Sequence, residues 1–302
     1  MLRLATRGSQ LALWQARRVA SLLEAAQPGL EVALVPVSTA GDRHWDVPVW
    51  QIGGRGVFVG EVQMSVLDGH ADVAVHSAKD LPPVSAPGLV LAALPERGDP
   101  RDALVGSRLS ELAPGATVAT GSQRRRAQLA HLRPDLSFVS LRGNITTRLG
   151  KVPAGGAIVV AMTALERLQL APPTVEPLAV ELMVPQVAQA ALAVECREGD
   201  SATIELLAAI DDAAVRAPVE AERAFLAAIG GGCDLPVGGH ARLSADGHLM
   251  LEGLLASVDG KTVVRRQANR AVTEPDALGR AVAALVLDSG GRQLLASMRG
   301  RT

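Results

Sequence analysis

The chain has 302 residues, of which 48% are hydrophobic and 20% charged, so it is long enough for two or three folded domains and too apolar for a disordered protein. Its 30 basic and 31 acidic residues give a formal net charge of −1, so no general attraction to nucleic acid or to a membrane surface is expected. The N-terminus has no signal-peptide pattern and no apolar run reaches the roughly 18 to 20 residues of a membrane span, which together predict a cytoplasmic protein.

The first part of the chain alternates predicted strands with predicted helices. Strands are expected at residues 2–6, 31–37 and 89–94, and helices at 10–26 and 58–67, with Ser9 as the N-cap of the first helix. The stretch 41–56, between the strand at 31–37 and the helix at 58–67, is long, irregular and rich in glycine. It indicates either a disordered connector or a movable cover over a site.

Residues 72–82 combine a buried strand with a polar loop. Small and β-branched residues alternate up to His76, and Ser77, Lys79 and Asp80 follow before two prolines. Ligands of open α/β sheets bind at the carboxyl ends of the strands, so these three polar residues are site candidates. The alternative is a solvated turn, which is the ordinary role of an isolated Lys-Asp pair.

The middle of the chain resumes the strand-helix alternation after a charged segment, 96–102, that is typical of a crossing between domains. Strands are predicted at 117–119, 137–140 and 157–161, and helices after Ser122, from Asn144 and over 163–170. This pattern predicts a second sheet flanked by helices. The alanine-rich segment 189–197 is predicted to be helical and to return the chain to the first domain.

Positive charge is concentrated between Arg124 and Lys151, where seven Arg and Lys residues face one acid, Asp135. Arg124 and Arg125 fall in the first turn of a predicted helix, where the helix dipole disfavours cations and a bound anion would offset that cost. Arginines at such positions favour bidentate capture of carboxylate or phosphate. For any single arginine the alternative is a solvated basic face.

The last part changes character. A helix at 218–229 is followed by the loop Gly230–Gly238, which contains Cys233, and then by strand-like runs near 241–243, 249–258 and 262–270. Asp-Gly pairs between these runs predict hairpins, and a helix capped by Thr273 and extending to Leu287 covers them. The prediction is a small α+β domain with an antiparallel sheet.

Two cysteines are too few for a disulfide framework or a zinc ligand set, and no metal site is expected. Cys233 lies in a glycine-rich loop that can approach another domain closely, and a thiolate there could form a durable thioether, whereas a lone cysteine is more often a passive buried thiol. Cys196 is expected to be passive. His76 is expected to be a hydrogen-bonded structural residue.

Several stretches of the chain together resemble the porphobilinogen deaminase family, also called hydroxymethylbilane synthase, in the order of that family. They are ATRGSQLALWQ at 5–15, GGRGVFVGE at 53–61, ADVAVHSAKDLP at 71–82, DPRD at 99–102, SQRR at 122–125, LRGN at 141–144, VECR at 194–197 and GGCDLPVG at 231–238.

The resemblance implies an α/β fold of two periplasmic-binding-protein-like βα domains plus a small α+β C-terminal domain with an antiparallel sheet. The expected domains are residues 1–95 with 191–210, residues 96–190, and residues 211–302. The family condenses four porphobilinogens head to tail on a covalent dipyrromethane primer, releases ammonia, and hydrolyses off the linear hydroxymethylbilane. The implied partners are porphobilinogen and the growing polypyrrole, without nucleic acid or membrane, and the family suggests a monomer.

The resemblance also implies roles for individual residues. Asp80 is the expected catalytic residue, which stabilises substrate cations and shuttles protons, and dipyrromethane is attached by a thioether to Cys233. The expected cofactor contacts are Ser77, Lys79, Thr120, Ser122, Arg124, Arg125, Arg142, Asn144 and Gln189. The expected substrate contacts are Arg7, Ser9, Phe58, Arg148 and Arg167.

Some positions depart from the commoner family pattern. Arg55 replaces a frequent lysine, and Gly60 and Asp234 replace a frequent lysine and glutamine. Ala188 and Ala190 flank Gln189 where glycine is common.

Two other classes of function compete with the enzyme. A solute-binding or effector-sensing protein of the same two-lobed architecture would use the arginines for a carboxylate ligand without catalysis, but leaves Cys233 without a role. A nucleic-acid-binding module rests only on the Arg124–Arg126 triplet, and the aromatic residues that would stack on bases are scarce.

Overall fold

The computed structural model describes residues 1–39, 58–231 and 235–299. The chain forms two compact units, of which the first comprises Met1–Gly98 with Gln189–Arg216 and the second comprises Asp99–Ala188 with Ala217–Thr302. The chain therefore passes between the units at 98/99, 188/189 and 216/217. The three-domain division proposed from the sequence stays a prediction.

The first unit contains a five-stranded sheet in the order β2-β1-β3-β10-β4. Its strands are β1 (Leu2–Arg7), β2 (Val32–Val37), β3 (Val73–Ser77), β4 (Leu89–Ala93) and β10 (Leu192–Arg197). Strands β1, β2 and β3 are mutually parallel, whereas β10 runs antiparallel to both β3 and β4. The carboxyl ends of β1 and β3 therefore lie at the same edge of the sheet.

Helices cover both faces of this sheet. They are α1 (Gln10–Ala26), α2 (Gly60–Leu67) and α6 (Ser201–Ala208). Helix α1 begins at the predicted N-cap, where Oγ of Ser9 accepts a hydrogen bond from N of Ala12. Its buried face packs Ala16, Val19 and Leu23 on alternate residues of β3, and α2 packs Val62 and Val66 on the opposite face. Two separate apolar layers thus fix the strand ends that carry the polar residues.

The second unit repeats the arrangement with a sheet in the order β7-β6-β8-β5-β9. Its strands are β5 (Asp102–Val105), β6 (Thr117–Ala119), β7 (Ser137–Val139), β8 (Ala157–Ala161) and β9 (Val175–Pro177). Strand β6 is parallel to β7 and β8, and β5 is antiparallel to β8 and β9. The helices are α3 (Gln123–Leu132), α4 (Ile145–Leu149) and α5 (Met162–Arg167).

A three-stranded antiparallel sheet ends the chain in the order β11-β12-β13. Its strands are β11 (Val237–Leu243), β12 (His248–Ala256) and β13 (Val263–Ala271), and its helices are α7 (Ala213–Ile229), α8 (Pro275–Val286) and α9 (Arg292–Arg299). The predicted Asp-Gly hairpins are confirmed, with Gly247 and Gly260 at φ of 80° and 74°. Within the second unit, Ala127 of α3 packs with Leu254 and Ala256 of β12.

Three predictions of local structure need correction. The segment 189–197 is not helical, since residues 192–197 form β10, an interior strand of the first sheet. Helix α5 stops at Arg167 instead of continuing to 170, because Gln169 adopts a positive φ of 52° that ends the helical path. The cap of α8 is Glu274 and not Thr273, and Pro275 begins the helix with its fixed φ.

The predicted fold class is confirmed. Two βα sheets share one strand order with a single antiparallel crossing strand, which is the architecture of the two lobes of periplasmic binding proteins, and a separate antiparallel α+β part follows. Within the described ranges, no helix combines the length and apolar character that crossing a membrane requires.

Candidate functional site

The first group of predicted site residues lies where β1 and β3 end, and we call it the strand-end site: Arg7, Ser9, Ser77, Lys79 and Asp80. A short 3₁₀ turn over Ala78–Asp80 follows β3 directly. Ala78 is buried and its N donates to O of Ala191 at 3.0 Å, so the turn is fixed to the chain that enters β10. All five residues line one cavity of the first unit, together with Phe58 and His76.

Hydrogen bonds and a ring contact hold several of these side chains. Ser77 Oγ exchanges hydrogen bonds with the amide of Gln15, at 2.8 and 3.1 Å. Lys79 Nζ donates to Oε1 of Gln189 at 3.2 Å. The guanidinium carbon of Arg7 lies 4.3 Å from the ring centroid of Phe58, which is a cation–π contact. The strand-end site therefore presents two cations and a carboxylate from a rigid support.

Gln15 belongs to this site but was not predicted from the sequence. It is only 3% exposed and lies on the buried face of α1 beside Ala16 and Val19. A polar residue on an otherwise apolar helix face was the signal that could have found it, because a buried amide needs hydrogen-bond partners.

The second group follows β6, β7 and β8 along the chain, and we call its cationic members the arginine set: Arg124, Arg125, Arg142, Arg148 and Arg167. Ser122 caps α3 by accepting from N of Arg125, and Asn144 caps α4 by accepting from N of Thr147. The predicted starts of these two helices, after Ser122 and from Asn144, are confirmed. Because β6, β7 and β8 are parallel, the loops that follow them lie at one edge of the sheet. The loops after β6 and β7 approach closely there, since a Cβ added at Gly121 would lie 2.7 Å from O of Leu141.

Asp102, at the start of β5, joins two members of the arginine set. Its Oδ1 accepts from Nε and Nη2 of Arg125 at 3.0 and 2.7 Å, and its Oδ2 lies 2.7 Å from Nη1 of Arg124. Arg125 also donates to O of Val159 and Arg124 to O of Val184. Asp102 belongs to the DPRD motif at 99–102 but was not predicted as a site residue.

Burial governs the electrostatics of this trio. Burial alone raises the pKa of Asp102, but the charges and hydrogen bonds of Arg124 and Arg125 outweigh it, and the pKa lies well below its usual range. Burial lowers the pKa of Arg124, and the lesser burial of Arg142 also lowers its pKa. Guanidinium groups remain charged at neutral pH even so. One negative charge therefore faces two positive charges, and the buried trio keeps an excess of positive charge.

Some donors of the arginine set lack partners. Among the described residues, no hydrogen-bond acceptor faces the buried Nε and Nη2 of Arg124 or the buried Nε of Arg142. Unsatisfied buried donors cost free energy, so a ligand with carboxylate or phosphate oxygens would stabilise this arrangement. The remaining members have protein contacts, such as Nε of Arg148 with O of Gly143 at 2.7 Å.

Three further expected contacts in the second unit differ in exposure. Thr120 and Arg167 are buried, at 7% exposed each, whereas Asn144 is exposed and its Oδ1 is already engaged as the helix cap. Thr120 Oγ1 accepts from N of Ser122 at 3.2 Å. Asn144 and Thr120 thus shape the loops that carry the arginines.

Of the two cysteines, only Cys196 is among the described residues. Cys233 and the glycine-rich stretch 41–56 lie outside the described residues, as do Arg55 and Asp234. Cys196 is buried in β10, and burial raises the pKa of its thiol to about 11, which suits the passive role predicted for it.

His76 is buried, and its Nε2 lies 3.3 Å from Oε2 of Glu195 without forming a hydrogen bond among the described residues. The same Oε2 of Glu195 accepts a hydrogen bond from Nε2 of Gln63. In the part of the chain that the structure describes, no group of three or more His, Cys, Asp or Glu residues could hold a metal ion.

Comparison with protein families gives two matches that together span most of the chain. Residues 2–205 match the model described as "Porphobilinogen deaminase, dipyromethane cofactor binding domain". Residues 217–288 match "Porphobilinogen deaminase, C-terminal domain".

Curated relatives agree with these matches. The porphobilinogen deaminase of Syntrophotalea carbinolica is 46% identical over 302 residues, covering 98% of this chain and 96% of the relative. That of Roseiflexus castenholzii is 46% identical over 300 residues, covering 98% of both chains. A solved nutrient-binding protein from Burkholderia cenocepacia gives a TM-score of 0.42 at 12% identity, over 68% of this chain and 90% of its own, which is too weak a likeness to indicate function.

Proposed function

Because the chain belongs to the porphobilinogen deaminase family, we propose that it condenses four porphobilinogen molecules head to tail on a dipyrromethane primer and then hydrolyses off linear hydroxymethylbilane. The chain is a transferase of tetrapyrrole biosynthesis with a dipyrromethane cofactor-binding domain. The observation that carries the residue assignments is the strand-end site, where Asp80 and Lys79 follow a buried parallel strand and line a cavity with Arg7.

Substrate and cofactor recognition is assigned to the basic residues. Each porphobilinogen carries an acetate and a propionate group, so a growing chain adds two negative charges with each unit. Guanidinium groups bind carboxylates with paired, charge-assisted hydrogen bonds. The buried donors of Arg124 and Arg142 that lack protein acceptors within the described ranges fit such carboxylates. We assign Arg124, Arg125 and Arg142 to the cofactor, and Arg7, Arg148 and Arg167 to the substrate.

Smaller groups complete the assignment. Lys79 contributes a cation to the cofactor, and Gln189, Ser77, Thr120, Ser122 and Asn144 contribute hydrogen bonds. We assign Ser9 and Phe58 to the substrate, and Phe58 stacks on Arg7. Cys233 holds the cofactor through a thioether. When bound there, dipyrromethane supplies the terminal pyrrole carbon to which the substrate is joined.

Asp80 is assigned the chemical role. Loss of ammonia from porphobilinogen leaves a cation on the substrate, and joining the two pyrroles requires the loss of one ring proton. A fixed carboxylate stabilises the developing positive charge without the reorganisation that water would need. The same carboxylate can accept the proton, which leaves with the ammonia as ammonium, so atoms and charge balance in each cycle.

The test replaces Asp80 with asparagine, which keeps the shape of the side chain and removes its charge. The rate of ammonia release from porphobilinogen should fall by at least about 100-fold with the melting temperature unchanged. Asp68→Asn, at an exposed acid just after α2, is the matched control and should keep the wild-type rate. A near-normal rate for Asp80→Asn would refute the assignment.

We also propose that the protein acts as a cytoplasmic monomer and does not bind nucleic acid. The near-neutral net charge of −1 supports the last point, since nucleic-acid binding depends on extended positive charge. Light scattering of the purified protein tests the monomer, and a doubled mass would contradict it.

A further inference from the structure

We propose that Gln189 is a positioning residue for Lys79, and that the strained backbone at Ala188 and Ala190 fixes Gln189 for this task. The inference rests on the proposed function, because it concerns the lysine that we assign to the cofactor. It differs from the contact expected for Gln189 itself, since here Gln189 acts through Lys79.

The contact between the two side chains is buried on the glutamine side. Gln189 is 0% exposed, and its Oε1 accepts from Nζ of Lys79 at 3.2 Å. A lysine ammonium sits on a flexible four-carbon stem, so its position is poorly defined unless a partner holds it. A hydrogen bond to a charged donor is also stronger than one between neutral groups. Gln189 therefore limits where the Lys79 charge can lie.

The backbone on either side of Gln189 is in an unusual conformation. Ala188 and Ala190 have φ of 59° and 73°, in the left-handed region that alanine rarely adopts. Such strain persists only where neighbouring contacts enforce it, and it is concentrated at functional sites. Both alanines are buried, at 0% and 4% exposed, so packed neighbours surround the strained backbone.

Hydrogen bonds to the backbone enforce this turn. In the second unit, N of Ala188 donates to Oε2 of Glu222 at 2.6 Å. In the first unit, Nε of Arg97 donates to O of Gln189 at 3.0 Å, and N of Gly98 donates to O of Ala190 at 3.1 Å. Each residue from 188 to 190 is thus held by a polar group of its own unit.

A further backbone hydrogen bond links this turn to the strand-end site itself. O of Ala191 accepts from N of Ala78, the residue just before Lys79, at 3.0 Å. The same segment thus binds the 3₁₀ turn twice, once through the backbone at Ala191 and once through the side chain of Gln189. This two-point attachment fixes the distance between the Lys79 backbone and its ammonium group.

The first experiment compares Gln189→Met, which keeps the volume but removes the acceptor, with Gln189→Glu, which keeps an acceptor for the ammonium. The readouts are kcat, KM, melting temperature and the rate at which an amine-reactive anhydride modifies Lys79, measured by peptide mass. Gln189→Met should lower kcat by about tenfold, because a displaced Lys79 ammonium is costly in a preorganised site. It should also speed modification of Lys79 several-fold, because Nζ loses the hydrogen bond to Gln189. Gln189→Glu should restore both values.

A second experiment tests the strain. The double variant Ala188→Gly, Ala190→Gly removes the conformational penalty and should raise the melting temperature by a few degrees, while Lys79 modification becomes faster and kcat falls. Gln169→Gly relieves a similar strain at φ 52° on an exposed residue of the second unit. This control should also be more stable, with Lys79 modification and kcat unchanged.

The inference is overturned if Gln189→Met leaves both the modification of Lys79 and kcat at wild-type values, or if the double glycine variant gains stability without any change in Lys79. These outcomes are separable from failure of the proposed function. If the wild-type protein releases no ammonia from porphobilinogen, the modification rates still report whether Gln189 holds Lys79.

Discussion

A single buried carboxylate, Asp102, sets the charge balance of the arginine set. It lies between Arg124 and Arg125 with 0% of its surface exposed, and it neutralises one of their two charges. The trio therefore keeps one net positive charge, together with Arg124 donors that have no acceptor among the described residues, and this state attracts an anionic ligand. Asp102 holds the arginines in place without abolishing their attraction for carboxylates.

Replacing Asp102 by asparagine should cost about 3 to 5 kcal/mol of unfolding free energy, because it leaves buried guanidinium charge uncompensated. Denaturant unfolding measures the change. Asp135→Asn serves as the control, since Asp135 pairs with Arg133 at a partly exposed position, and its effect should be far smaller. Equal losses of unfolding free energy in the two variants would contradict the claim that burial of Asp102 with Arg124 and Arg125 makes this ion pair more important than a surface one.

Acid should weaken the fold through the same residue. The pKa of Asp102 is depressed in the folded chain, so the unfolded chain binds the proton more readily. The stability that this carboxylate provides is fully present above the unfolded pKa of about 3.9 and is lost as pH falls below it toward the folded pKa. Unfolding free energy measured from pH about 5 to about 2 should therefore fall less steeply in Asp102→Asn than in the wild type.

The sequence identified most of the charged groups of the site but not how they pair. The basic cluster of seven residues against one acid covered residues 124–151 and so omitted Asp102, which precedes Arg124 by 22 positions. Pairing across that separation depends on β5 lying beside β8, a tertiary contact that local patterns do not contain. Gln15 was missed for the same reason, because its partner Ser77 lies 62 residues away.

At the scale of elements, β10 shows how packing overrides local preference. Alanine favours helices, and segment 189–197 was predicted helical on that ground. In the structure Leu192, Val194 and Cys196 alternate into the apolar layer under α1. Residues of strand β10 pair on both sides with β3 and β4. A strand that is buried on both faces has a nearly continuous run of apolar residues. The spacing of apolar residues in such a run does not distinguish a strand from a short buried helix.

Helix packing in the C-terminal part gives a prediction about one glycine. A Cβ at Gly279 of α8 would lie 2.5 Å from O of Ala221 in α7, so Gly279→Ala forces these helices apart. We expect a loss of about 1 to 3 kcal/mol in unfolding free energy. Gly60→Ala, in α2 with no described residue within 4 Å of its added Cβ, should instead be neutral or stabilising by up to about 1 kcal/mol. Similar values for both variants would contradict the close approach of α7 and α8.

For the whole molecule, the repeated alternation of strands and helices was enough to predict the α/β class and the antiparallel C-terminal sheet. The crossing strands were not predictable in the same way. The crossing strand β5 begins at Asp102, the last residue of the charged segment 96–102, and the edge strand β9 has only three residues and ends at Pro177. Their places depend on pairing with strands that are distant along the chain, such as that of β5 with β8.

The central claim is that this chain builds polypyrroles on a primer held by one thiol, and intact-protein mass tests it most directly. The chain offers a matched pair of variants, Cys233→Ser and Cys196→Ser, since it has only these two cysteines. We predict an adduct of two linked pyrroles on the wild type and on Cys196→Ser, and none on Cys233→Ser. An unmodified wild-type protein that is folded and inactive toward porphobilinogen, or an adduct that persists in Cys233→Ser, would contradict the account.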